Sequence, residues 1–221
     1  MLRITTLSSS LLLILACGTA AADLGDISKV NRSITVPSAE VAGDVDTVNG
    51  SITIEDNAQV RSAETVNGSI RTGDKARLES ADTVNGSVRI GADSVVMRDA
   101  ETVNGSVTLD DRADVQGAVE TVNGSITLEA QAHVGAGIAT VNGDIDLGAD
   151  SRVEGGILVD KPGMSWFGAN NRKPKIVIGP RATVSGDLVF KREVELFVHE
   201  SAKLNGKVIG ATAKSFAGDR P

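Results

Sequence analysis

Few side chains in this 221-residue chain could do chemistry: two histidines, His133 and His199, one cysteine, Cys17, and five evenly spaced acids, Asp46, Glu64, Asp82, Glu101 and Glu120. An imidazole can serve as a general acid or base, and a set of carboxylates can hold a hard cation. Spacing weakens both readings. His133 stands where neighbouring sequence units carry Gln59, Arg77, Val95, Asp114 and Arg152, the pattern of an outward, variable site, and His199 follows Val198 at the start of its own unit. The acids each precede a Thr, and the series ends at Ala139. They form a column on a solvated face, where screening weakens the repulsion between like charges. A calcium-binding Gly-Gly-x-Gly-x-Asp run is absent from the sequence. No catalytic residue, cofactor or metal site is expected, and the chain is read as not an enzyme.

These residues are positioned by a repeat. Thr-Val-Asn-Gly begins at Thr47, Thr65, Thr83, Thr102, Thr121 and Thr140, spacings of 18, 18, 19, 19 and 19, and a worn copy at Lys29-Val30-Asn31-Arg32 lies 18 residues before the first. Repeats of this length indicate a solenoid. Within one unit Val48, Ile54 and Val60 are six apart, as is Val66 of the next, and Ile52/Ile54 and Ala58/Val60 alternate like strands with one buried face. The spacing predicts three short strands per coil of a parallel β-solenoid. Whether Ala63, Thr65 or Val66 points inward on the third side stays open. The extra residue of the longer units falls between Val96 and Thr102, Val115 and Thr121, and Val134 and Thr140, where a bulge can absorb it. Stacking places Asn49, Asn67, Asn85, Asn104, Asn123 and Asn142 in a structural ladder of side-chain amides. The Asn-Gly pair itself is expected to supply the positive φ of a tight corner.

Composition narrows the partners. With no Tyr, one Trp and four Phe, there is little from which to build a stacking site for sugars or bases, and a net charge of -7 argues against nucleic acid. The core is expected to be aliphatic throughout. Residues 1–22 read as a secretory signal: Arg3, an apolar run from Leu11 to Ala16, and Ala20-Ala21-Ala22 before Asp23. Loss of that segment removes one basic residue and leaves 21 against 29 acids, a net -8. Ile14-Leu15-Ala16-Cys17-Gly18 also resembles a bacterial lipobox, so two readings stand: removal of Cys17 with the signal, or lipidation of Cys17 as the new N-terminus. No later stretch is apolar for the length a membrane-spanning helix needs.

The register breaks after Val159. Residues 162–175 hold the only Trp and several basic residues; Trp166 and Phe167 are candidate anchors of a partner loop, with Arg172, Lys173 and Lys175 as its polar rim, and a flap over the solenoid's side is the plainer alternative. Two further units follow at a spacing of 20, Ile178-Gly-Pro-Arg-Ala182-Thr-Val184-Ser-Gly-Asp-Leu188 and Val198-His-Glu-Ser-Ala202-Lys-Leu204-Asn-Gly-Lys-Val208. These units resemble the bactofilins, polymer-forming cytoskeletal β-helix proteins. The resemblance implies a right-handed coil and end-to-end assembly without a nucleotide. The export signal, Arg32 and Pro37 in the first coil, and the polar tail depart from it. The hexads Ile54-Glu-Asp-Asn-Ala58-Gln and Leu147-Gly-Ala-Asp-Ser151-Arg are also similar to left-handed β-helix acyltransferases, whose catalytic His would have to be His133 or His199, so handedness stays open with the right-handed form favoured.

The expectation is an all-β, single-stranded β-helix of about ten coils of 18–20 residues. A signal peptide spans 1–22, the Thr-Val-Asn-Gly solenoid 23–161, an inserted loop 162–175, continuing coils 176–210 and a polar tail 211–221. The expected role is a non-enzymatic, exported structural or adhesin-like rod in the periplasm or cell envelope, lipid-anchored if Cys17 is acylated. It would present an acidic face and one basic-aromatic loop to an envelope component or to itself. A self-assembling polymer and an envelope-polysaccharide enzyme are the alternatives.

Overall fold

The computed structural model describes residues 23–162, 172–218 and 220–221; the segment 1–22 read as a signal, with Cys17, and the loop residues Trp166 and Phe167 lie outside them. The chain winds into a parallel β-solenoid of about ten coils. One sheet contains ten strands, from Ile34–Val36 at the N-terminal end to Ala213–Phe216 at the C-terminal end, and a second contains sixteen. All pairing between coils is parallel and in register, as in Ile52 with Ile70, Ala63 with Ala81, and Asn67 with Asn85. At the usual strand spacing the stack is roughly 45 Å long.

A coil has three faces. In the coil that starts at Ile52, the first face is Ile52–Ile54, and the strand Gln59–Asn67 supplies both the second and the third. The burial of that strand gives the bend away: alternation breaks at Ser62 and Ala63, which are both buried, so the chain turns a corner there without leaving the sheet. In the 19-residue coils the added residue falls at this corner, splitting the strand into Val95–Val96 and Ala100–Asn104. The other two faces keep their register, as a localised bulge allows.

The inward residues of one coil are Ile52, Ile54, Ala58, Val60, Ser62, Ala63 and Thr65, all buried. Beside the buried Thr and Ser columns, the apolar part of the core among the described residues is aliphatic with one exception. Phe190 is buried in register with Val159, which itself pairs with Thr140, so the prism accepts a ring where the threonine column has ended. Of the three residues left undecided on the third face, Ala63 and Thr65 point inward and Val66 outward. The sixfold spacing does not apply to the valines: Val48, Val66, Val84 and Val103 are 40–42% exposed.

Positive φ occurs, but not at Asn-Gly. It falls at the corner between the first and second faces, on Ala39, Asn57, Lys75, Asp93, Arg112, Gln131, Asp150 and Arg181, with φ of 56–62°. Each non-glycine residue there costs on the order of 1 kcal/mol. Hydrogen bonds to the next coil, such as Lys75 N–H to Ala92 O and Arg112 N–H to Ala130 O, hold the geometry. The glycines of the repeat are needed for close approach instead. A Cβ on Gly68 would overlap the carbonyl oxygen of Gly50, one on Gly86 that of Gly68, and so on through Gly143. Arg32 takes this place in the first described coil, and no earlier corner lies beneath it among the described residues.

The coils on either side of residues 163–171 stack in register, Ile145 pairing with Ile176 and Ile157 with Leu188. The segment 211–221, read from sequence as a polar tail, instead contributes a strand, Ala213–Phe216, paired with Leu196–His199.

Replacing Gly86 by Ala is expected to force two coils apart and destabilise the protein by about 3 kcal/mol, the upper range for overpacking, whereas Arg32→Gly should be near neutral. Urea denaturation followed by far-ultraviolet dichroism measures both; equal small effects would refute the close-approach account.

Candidate functional site

The Thr-Val-Asn-Gly-Ser corner is built residue by residue. The Thr hydroxyl, turned inward, donates to the glycine carbonyl of the coil before it: Thr65 to Gly50 O at 3.0 Å, Thr83 to Gly68 O at 2.9 Å, Thr102 to Gly86 O at 2.8 Å and Thr121 to Gly105 O at 2.9 Å. Thr140, the last of the column, is buried without a hydroxyl partner among the described residues. The Ser backbone N–H donates to the Ser hydroxyl of the previous coil, as Ser87 does to Ser69 at 3.2 Å. Each Asn Nδ2 donates to the Oδ1 of the coil before, from Asn49 to Asn31 at 2.8 Å through Asn142 to Asn123 at 3.0 Å.

All six Asn residues singled out by spacing are in this ladder, and Asn31 of the worn copy extends it to seven. It runs along an exposed edge rather than through the core. Its amides all point one way, so the last carbonyl, Asn142 Oδ1, is the acceptor end. Arg192 supplies the cap: its guanidinium donates to Asn142 Oδ1 at 2.5 Å and to Val141 O at 3.0 Å. Arg192 lies two residues past Phe190 as Asn142 lies two past Thr140, a signal that the sequence contained but that the register break hid.

Next to this edge, the outer side of the third face carries two parallel columns. The acids Asp46, Glu64, Asp82, Glu101 and Glu120 pair in register. Beyond Ala139 the same column turns apolar through Leu158, Val189 and Ile209. Two residues along each strand, and so on the same side, stand Val30, Val48, Val66, Val84, Val103, Val122 and Val141. Together the columns line a groove of about 810 Å³ that runs from Ser28 and Lys29 to Leu158 and Asp160. Burial first, then the neighbouring carboxylates, pushes Glu64 and Glu101 above the ordinary glutamate range, and burial followed by Asp99 does so for Asp82.

Other acids are paired across coils. Arg61 bridges Asp26 at 2.9 Å and Asp44 at 2.6 Å, and its hydrogen bond, with that of Ser62, lowers Asp44 to about 2. Arg112 and Arg181 hold Asp93 and Asp150 below the usual aspartate range by hydrogen bonding along the positive-φ corner. The histidines lie apart. His133, on the second face, has Nδ1 2.6 Å from Asp114 and Nε2 3.8 Å from Glu154, while His199 contacts Ser201 and sits edge-on to Phe216 with ring centroids 5.1 Å apart. Neither lines the groove. Among the described residues no three His, Cys, Asp or Glu side chains converge as a metal site, and no helix is long and apolar enough to cross a membrane.

The three described basic residues of the loop, Arg172, Lys173 and Lys175, each contact the solenoid. Arg172 pairs with Asp144 at 2.6 Å and Lys173 with Glu193 at 2.9 Å, while Lys175 begins a first-face strand with its ammonium 5.2 Å from the Phe197 ring centroid. No family model, curated protein or solved structure matches the chain. The fold thus defines a class, the parallel β-solenoids.

Two outcomes are expected here. Asn85→Ala removes one amide and leaves two ladder partners to water, which should destabilise the chain by about 1 kcal/mol in thermal or urea melts; Asn142→Ala should also weaken the Arg192 contact. For the acid column the sign is the reverse of an ion pair. Because Glu64 and Glu101 hold their protons more tightly when folded, stability falls as pH rises from the ordinary glutamate range, near 4.3, through their raised values. Glu64→Gln with Glu101→Gln should therefore stabilise the protein at pH 7 by roughly 0.5 kcal/mol after solvent screening. That gain should fade in acid and in high salt, and a gain that persists in acid would rule out the charge origin.

Proposed function

We propose that the chain is a non-enzymatic structural or adhesin-like rod of the bacterial cell envelope, presenting an acidic face and one basic-aromatic loop to a partner. The observation that carries this reading is the division of labour in the repeat. Thr, Asn, Gly and Ser hold coil to coil, whereas five acids and seven valines project from the third face in columns whose side chains contribute little to stacking. The chemistry-bearing residues support it too, since His133 and His199 lie on different faces and neither borders the groove. The leader-like segment before Asp23 supports export, and Cys17 provides a lipid anchor if it is retained.

A bactofilin-like polymer is the second reading. It is favoured by the C-terminal end of the stack, where Lys203–Leu204, Val208–Ile209 and Ala213–Phe216 each have a coil on one side only among the described residues, and where Val198, Leu204 and Val208 are only partly buried. Light scattering and negative-stain microscopy of the purified chain decide between them: single rods roughly 45 Å long are expected, and filaments would favour the polymer. Cell fractionation with mass spectrometry of the N-terminus is expected to find the chain in the envelope, beginning at Asp23 or at acylated Cys17. A cytoplasmic chain with Met1 intact would overturn the envelope assignment.

A further inference from the structure

In the Thr-Val-Asn-Gly-Ser unit every residue except Val makes an identified contact with a neighbouring coil through its side chain or, for Gly, through the lack of one. Val nevertheless occupies its position in seven successive coils, 40–63% exposed in the five most open. Strand propensity favours Val, but it acts equally on the other outward positions. There the residues differ: Thr53, Arg71, Arg89, Thr108 and Thr127 on the first face, and Gln59, Arg77, Val95, Asp114 and His133 on the second. A contiguous apolar stripe of this kind on a water-facing surface marks an interaction site.

We propose that this stripe and the acid column beside it form a docking groove for a cationic amphipathic helix lying along the solenoid axis, an inference that rests on the partner-presenting reading above and names the chemistry of the partner. The valine stripe extends over seven coils, roughly 30 Å at the spacing of parallel strands, which is the length of about 20 helical residues. A helix brings its own backbone hydrogen bonds, as an occupant of this face must, because the strands beneath already pair with the coils on either side. Aliphatic side chains on one edge of the helix would cover Val48, Val66, Val84 and Val103. Lysines or arginines on the adjacent edge would meet Asp46, Glu64, Asp82, Glu101 and Glu120, relieving the mutual repulsion of stacked carboxylates. The column changes from acid to apolar after Glu120, so the helix has a preferred direction, with its basic part over the N-terminal coils and its apolar part over Ala139 and Leu158. Charge complementarity disfavours a second copy of this acidic chain, and it disfavours an anionic lipid surface for the same reason.

The test is a titration of the purified full chain into a fluorescent, synthetic helical peptide of leucine and lysine with one apolar edge, read by anisotropy. Two control peptides have glutamate in place of lysine, or the same composition scrambled so that no edge forms. Saturable one-to-one binding is expected for the first peptide only. It should weaken about tenfold or more, the equivalent of losing a few buried methyl groups or ion pairs, for Val66→Ser/Val84→Ser/Val103→Ser and for Glu64→Gln/Asp82→Asn/Glu101→Gln. Valine-methyl NMR of the unmutated chain gives a readout independent of the variants' folding, with shifts expected at the exposed valines and not at buried Val60, Val88 or Val107. Loss of binding in the charge variant alone, equal binding of either control, or no binding would each overturn the proposal. So would self-association through this face that the valine variant abolishes. Failure of the peptide to bind leaves the rod reading intact, since that reading is decided by scattering, microscopy and fractionation.

Discussion

The distance between one coil and the next is fixed by backbone hydrogen bonds at about 4.8 Å, and at the Asn-Gly corner this distance leaves no room for a side chain directed at the coil below. A Cβ at Gly68, Gly86, Gly105 or Gly124 would overlap the glycine oxygen of the preceding coil. That same oxygen accepts the hydroxyl of the next coil's Thr, so the missing methyl and the buried hydroxyl are two halves of one contact. The Asn amide outside and the Ser hydroxyl beyond it repeat at the same spacing. Each element alone is worth little; stacked in register they act together, which is why the tetrapeptide recurs as a unit rather than as a set of independent preferences. Directionality follows as well. Every amide donates toward the N-terminal end, leaving an acceptor at Asn142 that needs a donor from outside the series, and Arg192 reaches back across the intervening coil to supply it.

Much of this architecture was legible in the sequence because a solenoid writes its geometry as a period. The spacing of Thr-Val-Asn-Gly gave the coil length, the alternation of Ile52 with Ile54 gave a face, and the added residue was placed between Val96 and Thr102, where the structure has it. The misreadings come from the same source. A period of six groups Val48 with Ile54 and Val60, yet the bend at Ser62–Ala63 turns two consecutive residues inward and shifts the phase, so that Thr65 is buried and Val66 exposed. Composition cannot show a phase shift of one residue. Asn-Gly suggested positive φ on statistical grounds, but close approach and backbone handedness both select glycine, and only coordinates separate them. The positive-φ column was hidden because Lys75, Arg112 and Gln131 hold it without the residue types usual for it. Arg192 and the strand Ala213–Phe216 went unrecognised for want of a repeat to carry them. For the site, the acid column was visible in the spacing, whereas the side taken by the valine column stayed open until the bend at Ser62–Ala63 fixed it.

Two sets of acids in this protein are treated differently by the fold. Asp44, Asp93 and Asp150 each have an arginine in another coil, whose hydrogen bonds hold them below the usual aspartate range. Glu64, Asp82 and Glu101 stand in a column with neighbours of the same sign, partly withdrawn from water. The pairing on the other corners shows that arginine at a matching position can relieve such a column, so its absence along this face is a property of the third face and not of the solenoid in general. Screening and exposure keep the penalty small.

Parallel, in-register stacking turns whatever a repeat places outward into a line with a fixed spacing. One residue per coil is enough to make a stripe of valine or a rail of carboxylate, and a change partway along the stack, such as Glu120 to Ala139 and Leu158, gives the line a direction. The corner residues set the spacing, and the outward residues of the third face inherit it without having to create it. A surface of this kind is rigid before any partner arrives, since its side chains stand on strands held from both sides. The ordering entropy that binding would otherwise have to overcome falls mainly on the partner. Rigidity of the stack and recognition along its face therefore rest on the same contact, the approach of one glycine corner to the next.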